Sequence, residues 1–239
     1  MKPRFFPLIL TLFLLFCGCE KAPAETEAPT SETVPAQTAP PETLPPATIE
    51  NTLPVPAPED FVRVLDYIPS ARQELLYATD RNFTGQVIYD FTDAYLRYGT
   101  AKKLMAVSED LGALGLSLKI WDGFRPVSAQ FKLWEVCPNP AFVANPQNGF
   151  SSHSRGNTVD VTLVDADGNE LEMPTGFDDF SAKADRNYSD CTENTAAHAE
   201  LLEIFMEKHG FTGYFGEWWH FSDTDEYPVE ETFAPPAKS

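Results

Sequence analysis

The sequence is short of basic charge. Seventeen Lys and Arg stand against 36 Asp and Glu, a formal net charge of -19 over 239 residues. Nucleic-acid binding needs clustered cations to displace counterions from phosphates, so that class of partner is excluded. The acidity itself reads as solubility and carries no mechanism. Cysteine is also scarce. There are four, and Cys17 and Cys19 fall within the N-terminal segment. Cys137 and Cys191 lack the close spacing of a Cys-x-x-Cys pair, which excludes a zinc-thiolate site. Whether they join as a disulfide depends on a separation that the sequence leaves open. Histidine chemistry has only His153, His198, His209 and His220 to draw on. No internal repeat is present, and nothing points to a protein partner.

What is there falls into three kinds of sequence. Lys2 and Arg4 precede an apolar run, Phe5 to Phe16, that is too short to span a bilayer comfortably as a permanent helix. Leu15-Phe16-Cys17-Gly18-Cys19 resembles a bacterial lipobox, in which cleavage follows a small residue and the next Cys is lipidated. Residues 1–18 are therefore expected to be a lipoprotein-type signal, with Cys19 carrying the lipid. An ordinary secretory signal or an uncleaved anchor is the alternative. Each version exports the domain, and the lipobox version holds it at the outer face of the cell membrane. Residues 19–58 are rich in Pro, Thr, Ala and Glu and nearly free of aromatics. Such a tract cannot bury enough apolar surface to offset its ordering entropy, so it reads as a solvated tether. Residues 59–239 have the length and mixed composition of one domain with a real core.

Within that domain, apolar spacing predicts a helix over 93–114, ended by Gly115. Residues 116–121 alternate as a half-buried strand, and 128–136 form a short helix stopped by Pro138. Residues 157–163 read as a second strand, with Ala166 to Asn169 as a hairpin turn. A helix over 192–208 has Thr192 or Asn194 as N-cap and Gly210 past its end. Gly216 to Phe221 is expected to be the last core strand. Helices and strands are mixed without regular βαβ alternation. The expected class is α+β, with a mainly antiparallel sheet flanked by helices.

Three residues form a candidate metal set. A catalytic zinc takes three ligands from His and carboxylate and leaves a position for water. His153, Asp160 and His220 supply such a set. Asp160 lies between Val159 and Val161, where an unpaired carboxylate is costly to bury. Glu217, three residues before His220, suits the role of general base to a zinc-bound water, and Trp218 and Trp219 would exclude bulk solvent. Arg125 follows a strand at a turn before a helix. Its guanidinium is placed either to meet an oxyanion or substrate carboxylate, or to pair with Asp122. Asp178 and Asp179 lie in an acid-rich turn, and only one of two adjacent side chains can face a pocket. His198 and His209 belong to the helix over 192–208 or its end and are read as structural.

Taken together, these segments resemble the zinc D-Ala-D-Ala dipeptidases, within the D,D-peptidases whose fold is related to the hedgehog signalling domain. The resemblance is carried by Leu76 to Asp80, Asn82 to Gly85, Trp121 to Pro126, Ser151 to Leu163, Met173 to Phe180 and Gly216 to Phe221. It implies one zinc ion per chain on His153, Asp160 and His220, Glu217 as base and Arg125 at the transition state. It further implies that Ser151 and Asp178 contact the ends of the substrate, with Tyr77 in the same pocket. The implied substrate is D-Ala-D-Ala or a peptide ending in it. The family's resistance enzyme is cytoplasmic, and the export signal sets this chain apart from it. A D,D-carboxypeptidase trimming wall stem peptides is the alternative enzyme, and a non-catalytic wall-binding lipoprotein the alternative outside enzymology.

Overall fold

The computed structural model describes residues 55–140 and 142–238, all within one unit, Thr52–Ser239. The signal, Cys19 and nearly all of the tether lie outside the described residues. No helix among the described residues is long and apolar enough to cross a membrane.

In chain order the elements are β1 (Phe61–Arg63), α1 (Val64–Tyr67), β2 (Arg72–Gln73), β3 (Tyr95–Arg97), α2 (Tyr98–Gly112), β4 (Ser117–Asp122), α3 (Val127–Val136), β5 (Thr158–Val164), α4 (Glu193–Lys208), β6 (Phe211–Gly213) and β7 (His220–Asp223). Five strands form a sheet in the order β2-β4-β5-β7-β6, and β1 pairs with β3 separately. Only β2 and β4 run parallel, and every other pairing is antiparallel. The α+β class with a mainly antiparallel sheet is what the structure has.

β5 is the central strand, and all seven of its residues are buried. Side chains alternate across a strand, so Val159, Val161 and Leu163 share one face and Asp160 projects from the other. Helices α2 and α4 touch each other and pack on the sheet. Their inner residues, among them Leu104, Val107, Leu111, Leu202 and Met206, are fully buried. Each such side chain contributes about 1.5–3 kcal/mol relative to exposure. Thr192 caps α4, its hydroxyl accepting from the Thr195 N–H at 3.2 Å.

Two expected elements differ. The helix expected from Asp93 starts at Tyr98, because Tyr95–Arg97 pairs with β1 before the chain turns helical. The helical spacing of Ala94 with Ala101 is thus an accident of two consecutive elements. The strand expected over Gly216 to Phe221 is mostly turn, and β7 begins only at His220. Glu217 N–H donates to Tyr214 O and His220 N–H to Glu217 O, so local bonds take the groups that a sheet would have paired. Gly168 does turn the chain after β5, but a single bridge, Val164 with Glu170, replaces a hairpin strand. Cys137 and Cys191 are both free thiols.

The C-terminal residues run back over the turn that precedes β5. Glu230 N–H donates to Ser154 O at 2.8 Å, and the Arg155 guanidinium donates to Tyr227 O at 2.7 Å. Phe233 stacks on Phe61 with ring centroids 4.2 Å apart. Buried Arg97 ties these parts together, donating to Glu59 O and Arg155 O and pairing with Glu230 at 3.1 Å.

Candidate metal centre and substrate cavity

His153 sits on a 3-10 turn, Ser152–Arg155, whose N-cap is Ser151. The turn ends at Gly156 with φ of 76°, and a Cβ there would lie 2.5 Å from the Phe61 ring. Only glycine satisfies both the left-handed backbone and the close approach of the ring. The imidazole Nδ1 of His153 is 2.8 Å from the Gly123 carbonyl oxygen. That oxygen can only accept, so Nδ1 carries the proton and Nε2 presents a lone pair to the site.

Asp160 and His220 arrive by register. They stand directly opposite each other on β5 and β7, so their side chains share one face. His153 Nε2 lies 3.4 Å from Asp160 Oδ2 and 3.3 Å from His220 Nδ1, and His220 Nδ1 lies 3.0 Å from Asp160 Oδ1. One donor atom from each of the three falls within 4.8 Å of the others. His153 and Asp160 are buried.

This donor set fits zinc. Asp160 Oδ1 is buried and takes no hydrogen bond, although His220 Nδ1 is close. A buried carboxylate with an orphaned oxygen, set beside two imidazoles, is costly unless a cation lies among them. Two nitrogens and one carboxylate oxygen are the ligand types of catalytic zinc sites. Burial pushes the Asp160 carboxyl upward, but the adjacent imidazoles outweigh it and hold the acid below its usual range. Burial lowers the His153 imidazole, and Asp160 and Asp122 more than reverse that.

A cavity of about 340 Å³ opens beside this set, lined among others by Tyr77, Arg125, Ser151, Asp178 and Glu217. All the residues singled out from sequence as site candidates therefore border one space. The Glu217 carboxylate comes within 3.6 Å of His220 Nδ1. Burial raises its pKa, and the Asp160 charge adds to the effect. Asp178 has a left-handed backbone, φ of 56°, and its Oδ2 is buried with no partner. Burial pushes its carboxyl up to about 8, with the Tyr77 hydroxyl opposing. Asp179 instead accepts from the Ser181 N–H. Ser151 Oγ accepts from the His153 N–H at 3.3 Å, so it caps the turn that bears His153 as well as lining the cavity.

Arg125 combines the two roles left open by the sequence. Its Nη2 donates to Asp122 Oδ2 at 2.7 Å and its Nη1 to Gln130 Oε1 at 2.9 Å, yet it lines the cavity. Asp122 is fully buried and also accepts from the Tyr89 hydroxyl at 2.8 Å and the Gly123 N–H at 2.9 Å. Tyr89 and Gln130, which help hold this guanidinium, escaped sequence reasoning. Tyr89 is 33 residues from its partner, and no spacing rule connects them. His198 Nδ1 meets Glu172 O at 2.8 Å and His209 meets Asp110 at 2.5 Å, both structural contacts away from the cavity.

A family model described as D-Ala-D-Ala dipeptidase matches residues 58–239. The chain is similar to the D-alanyl-D-alanine dipeptidase of Escherichia coli (strain K12), at 38% identity over 164 residues, covering 67% of this chain and 84% of that protein. It is similar to the D-alanyl-D-alanine dipeptidase of Enterococcus faecalis (strain V583), at 31% identity over 194 residues, covering 72% and 95%. A third D-alanyl-D-alanine dipeptidase, from Streptomyces coelicolor, is 32% identical over 198 residues, covering 73% and 96%.

Proposed function

The chain belongs to the D-Ala-D-Ala dipeptidase family of zinc metallopeptidases, and from that premise we infer that it hydrolyses D-Ala-D-Ala in the cavity beside His153, Asp160 and His220. The observation that carries the reading is the pairing of Asp160 with His220 across two strands, completed by the Nε2 of His153. These three side chains hold one zinc ion per chain. When bound, zinc supplies a Lewis acid that lowers the pKa of a water molecule and polarises a carbonyl.

The remaining roles fall to residues of the chain. Glu217 orients the attacking water, takes a proton from it at a carboxylate oxygen, and returns that proton to the leaving amine. Arg125, held by Asp122 and Gln130, meets the oxygen on which negative charge develops. Asp178 receives the free ammonium of the dipeptide on its unpartnered Oδ2. Ser151 and Tyr77 border the substrate at its ends. Trp218 and Trp219, both fully buried, keep bulk water from this side of the site.

The unpartnered Oδ2 of Asp178 favours a free dipeptide over a longer peptide. An acylated nitrogen offers no ammonium, so a carboxypeptidase substrate would leave the buried Oδ2 without a partner. The test is steady-state cleavage of D-Ala-D-Ala and of an N-acylated tripeptide ending in D-Ala-D-Ala by the full-length chain. Cleavage of the dipeptide, lost with a chelator and recovered with zinc, is expected. Chelator-insensitive turnover, or cleavage of the blocked tripeptide alone, overturns the reading.

The domain, residues 59–239, is read as exported and lipid-anchored through Cys19, with residues 19–58 as its tether. The basic start, the apolar run and the Gly18-Cys19 pair support this. Metabolic labelling with a fatty-acid analogue is expected to mark the wild-type chain and not Cys19→Ala. Equal labelling of both refutes the anchor.

A further inference from the structure

Arg186 has no part in the chemistry above, yet it is bonded to the segment that carries it. Its side chain is 6% exposed. Nε donates to Tyr214 O at 2.9 Å, and Nη2 donates to Trp218 O at 3.1 Å and His220 O at 3.0 Å. The backbone closes the same contact from both sides. Arg186 N–H donates to Phe215 O, and Trp218 N–H donates to Ala184 O, each at 2.9 Å. The guanidinium carbon lies 4.4 Å from the centroid of the Phe221 ring. Nη1 stands 3.2 Å from a carboxylate oxygen of Glu203 on α4, out of line for a hydrogen bond.

Three carbonyl oxygens from the two ends of one turn thus converge on one planar cation. Converging carbonyl dipoles repel one another, and a five-donor fork is the side chain best shaped to hold them. Gly213 makes room for it. A Cβ at that position would lie 2.3 Å from the Arg186 guanidinium carbon, so any larger residue there would displace the guanidinium. The charge is matched from behind by Glu203, which also accepts from the Tyr188 hydroxyl at 3.3 Å. Arg186 is therefore neither a surface cation nor part of the apolar core.

We propose that Arg186 is a positioning residue that fixes the Tyr214–His220 turn and thereby sets both Glu217 and His220 against the metal. The proposal rests on the reading of Glu217 as base and His220 as ligand. Arg186 touches neither substrate nor metal. Lysine at this place keeps the charge toward Glu203 but lacks the fork, so it cannot span three carbonyls.

The experiment compares the full-length wild type with Arg186→Lys and Gly213→Ala. Zinc affinity is measured by competition with a chromogenic chelator, kcat and KM with D-Ala-D-Ala, and thermal unfolding on the metal-free proteins. In Arg186→Lys, zinc affinity and kcat are each expected to fall about 10- to 100-fold, while KM stays near wild type. Gly213→Ala leaves the arginine in the sequence but occupies its place, and is expected to reproduce both losses. Wild-type zinc affinity in either variant overturns the proposal. So does a collapse of cooperative unfolding in both metal-free variants, because Arg186 would then support the domain at large. Zinc competition involves no substrate. A wild type that binds zinc but leaves the dipeptide intact would fault the substrate reading and not this one.

Discussion

Glu217 and Asp178 are carboxylates on one cavity, and the structure gives them different surroundings. Both are half-buried, but Glu217 adjoins the His220 imidazole, whereas Asp178 has one oxygen that is buried and unpartnered. The first suits proton transfer and the second suits recognition of a cation. Glu217→Gln is expected to bind zinc as the wild type does and to lose about 10²- to 10⁴-fold in kcat, checked by metal analysis and steady-state kinetics on one preparation. Asp178→Asn keeps the left-handed backbone, which Asn tolerates, and loses the charge. It is expected to lose about 1.5–3 kcal/mol of dipeptide recognition, roughly 10- to 150-fold in kcat/KM. The blocked tripeptide, which offers Asp178 no ammonium, should show no such loss, so the ratio of the two substrates is the quantity to measure. The sequence exposed these residues unevenly. With four histidines in the chain and an aspartate set between valines, the candidate metal set stood out. Arg186 did not, because its partners are backbone carbonyls, and those carry no letter in a sequence.

At the scale of elements, local pattern located the three long helices and the two long strands β4 and β5, but neither the short strands nor where one kind passes into another. Tyr95–Arg97 runs straight into α2, and the joint is fixed by β1, more than thirty residues earlier. The aromatic letters from Gly216 to Phe221 read as strand, yet local bonds such as Glu217 N–H to Tyr214 O fold most of them into a turn. The 3-10 turn bearing His153 has a clearer origin, since Gly156 ends it where Phe61 presses close. Gly156→Ala places a side chain at positive φ and against a ring. It is expected to destabilise the metal-free protein by about 2–4 kcal/mol in urea unfolding, with a parallel loss of zinc affinity. A variant as stable as wild type would remove the glycine requirement.

At the scale of the molecule, the Glu230 carboxylate is one of the ties that bind the C-terminal residues to the domain. The Thr232 hydroxyl and the N–H groups of Thr232 and Phe233, aided by Arg97 and opposed by burial, hold the Glu230 carboxyl down to about 2. A carboxyl whose pKa is lower folded than unfolded stabilises the folded state above its unfolded value. That stabilisation fades as pH falls through the folded value. The stability gap between wild type and Glu230→Gln, measured metal-free in urea, should be constant near neutrality and shrink from about pH 4.5 to pH 2. A gap that does not change over that range would deny Glu230 this role.

The pairing of Asp160 with His220 has a further consequence for assembly. Neighbouring residues of a strand point to opposite faces, so a slip of β7 by one position would turn His220 away from Asp160 and bring Phe221 or Trp219 in its place. Metal capture then works as a proofreading step on the sheet. A mispaired molecule can keep most of its backbone bonds, but it lacks the His220 nitrogen of the candidate metal set and forgoes the extra stability that binding confers. The same ion that equips the enzyme for hydrolysis would sort correctly threaded molecules from near misses.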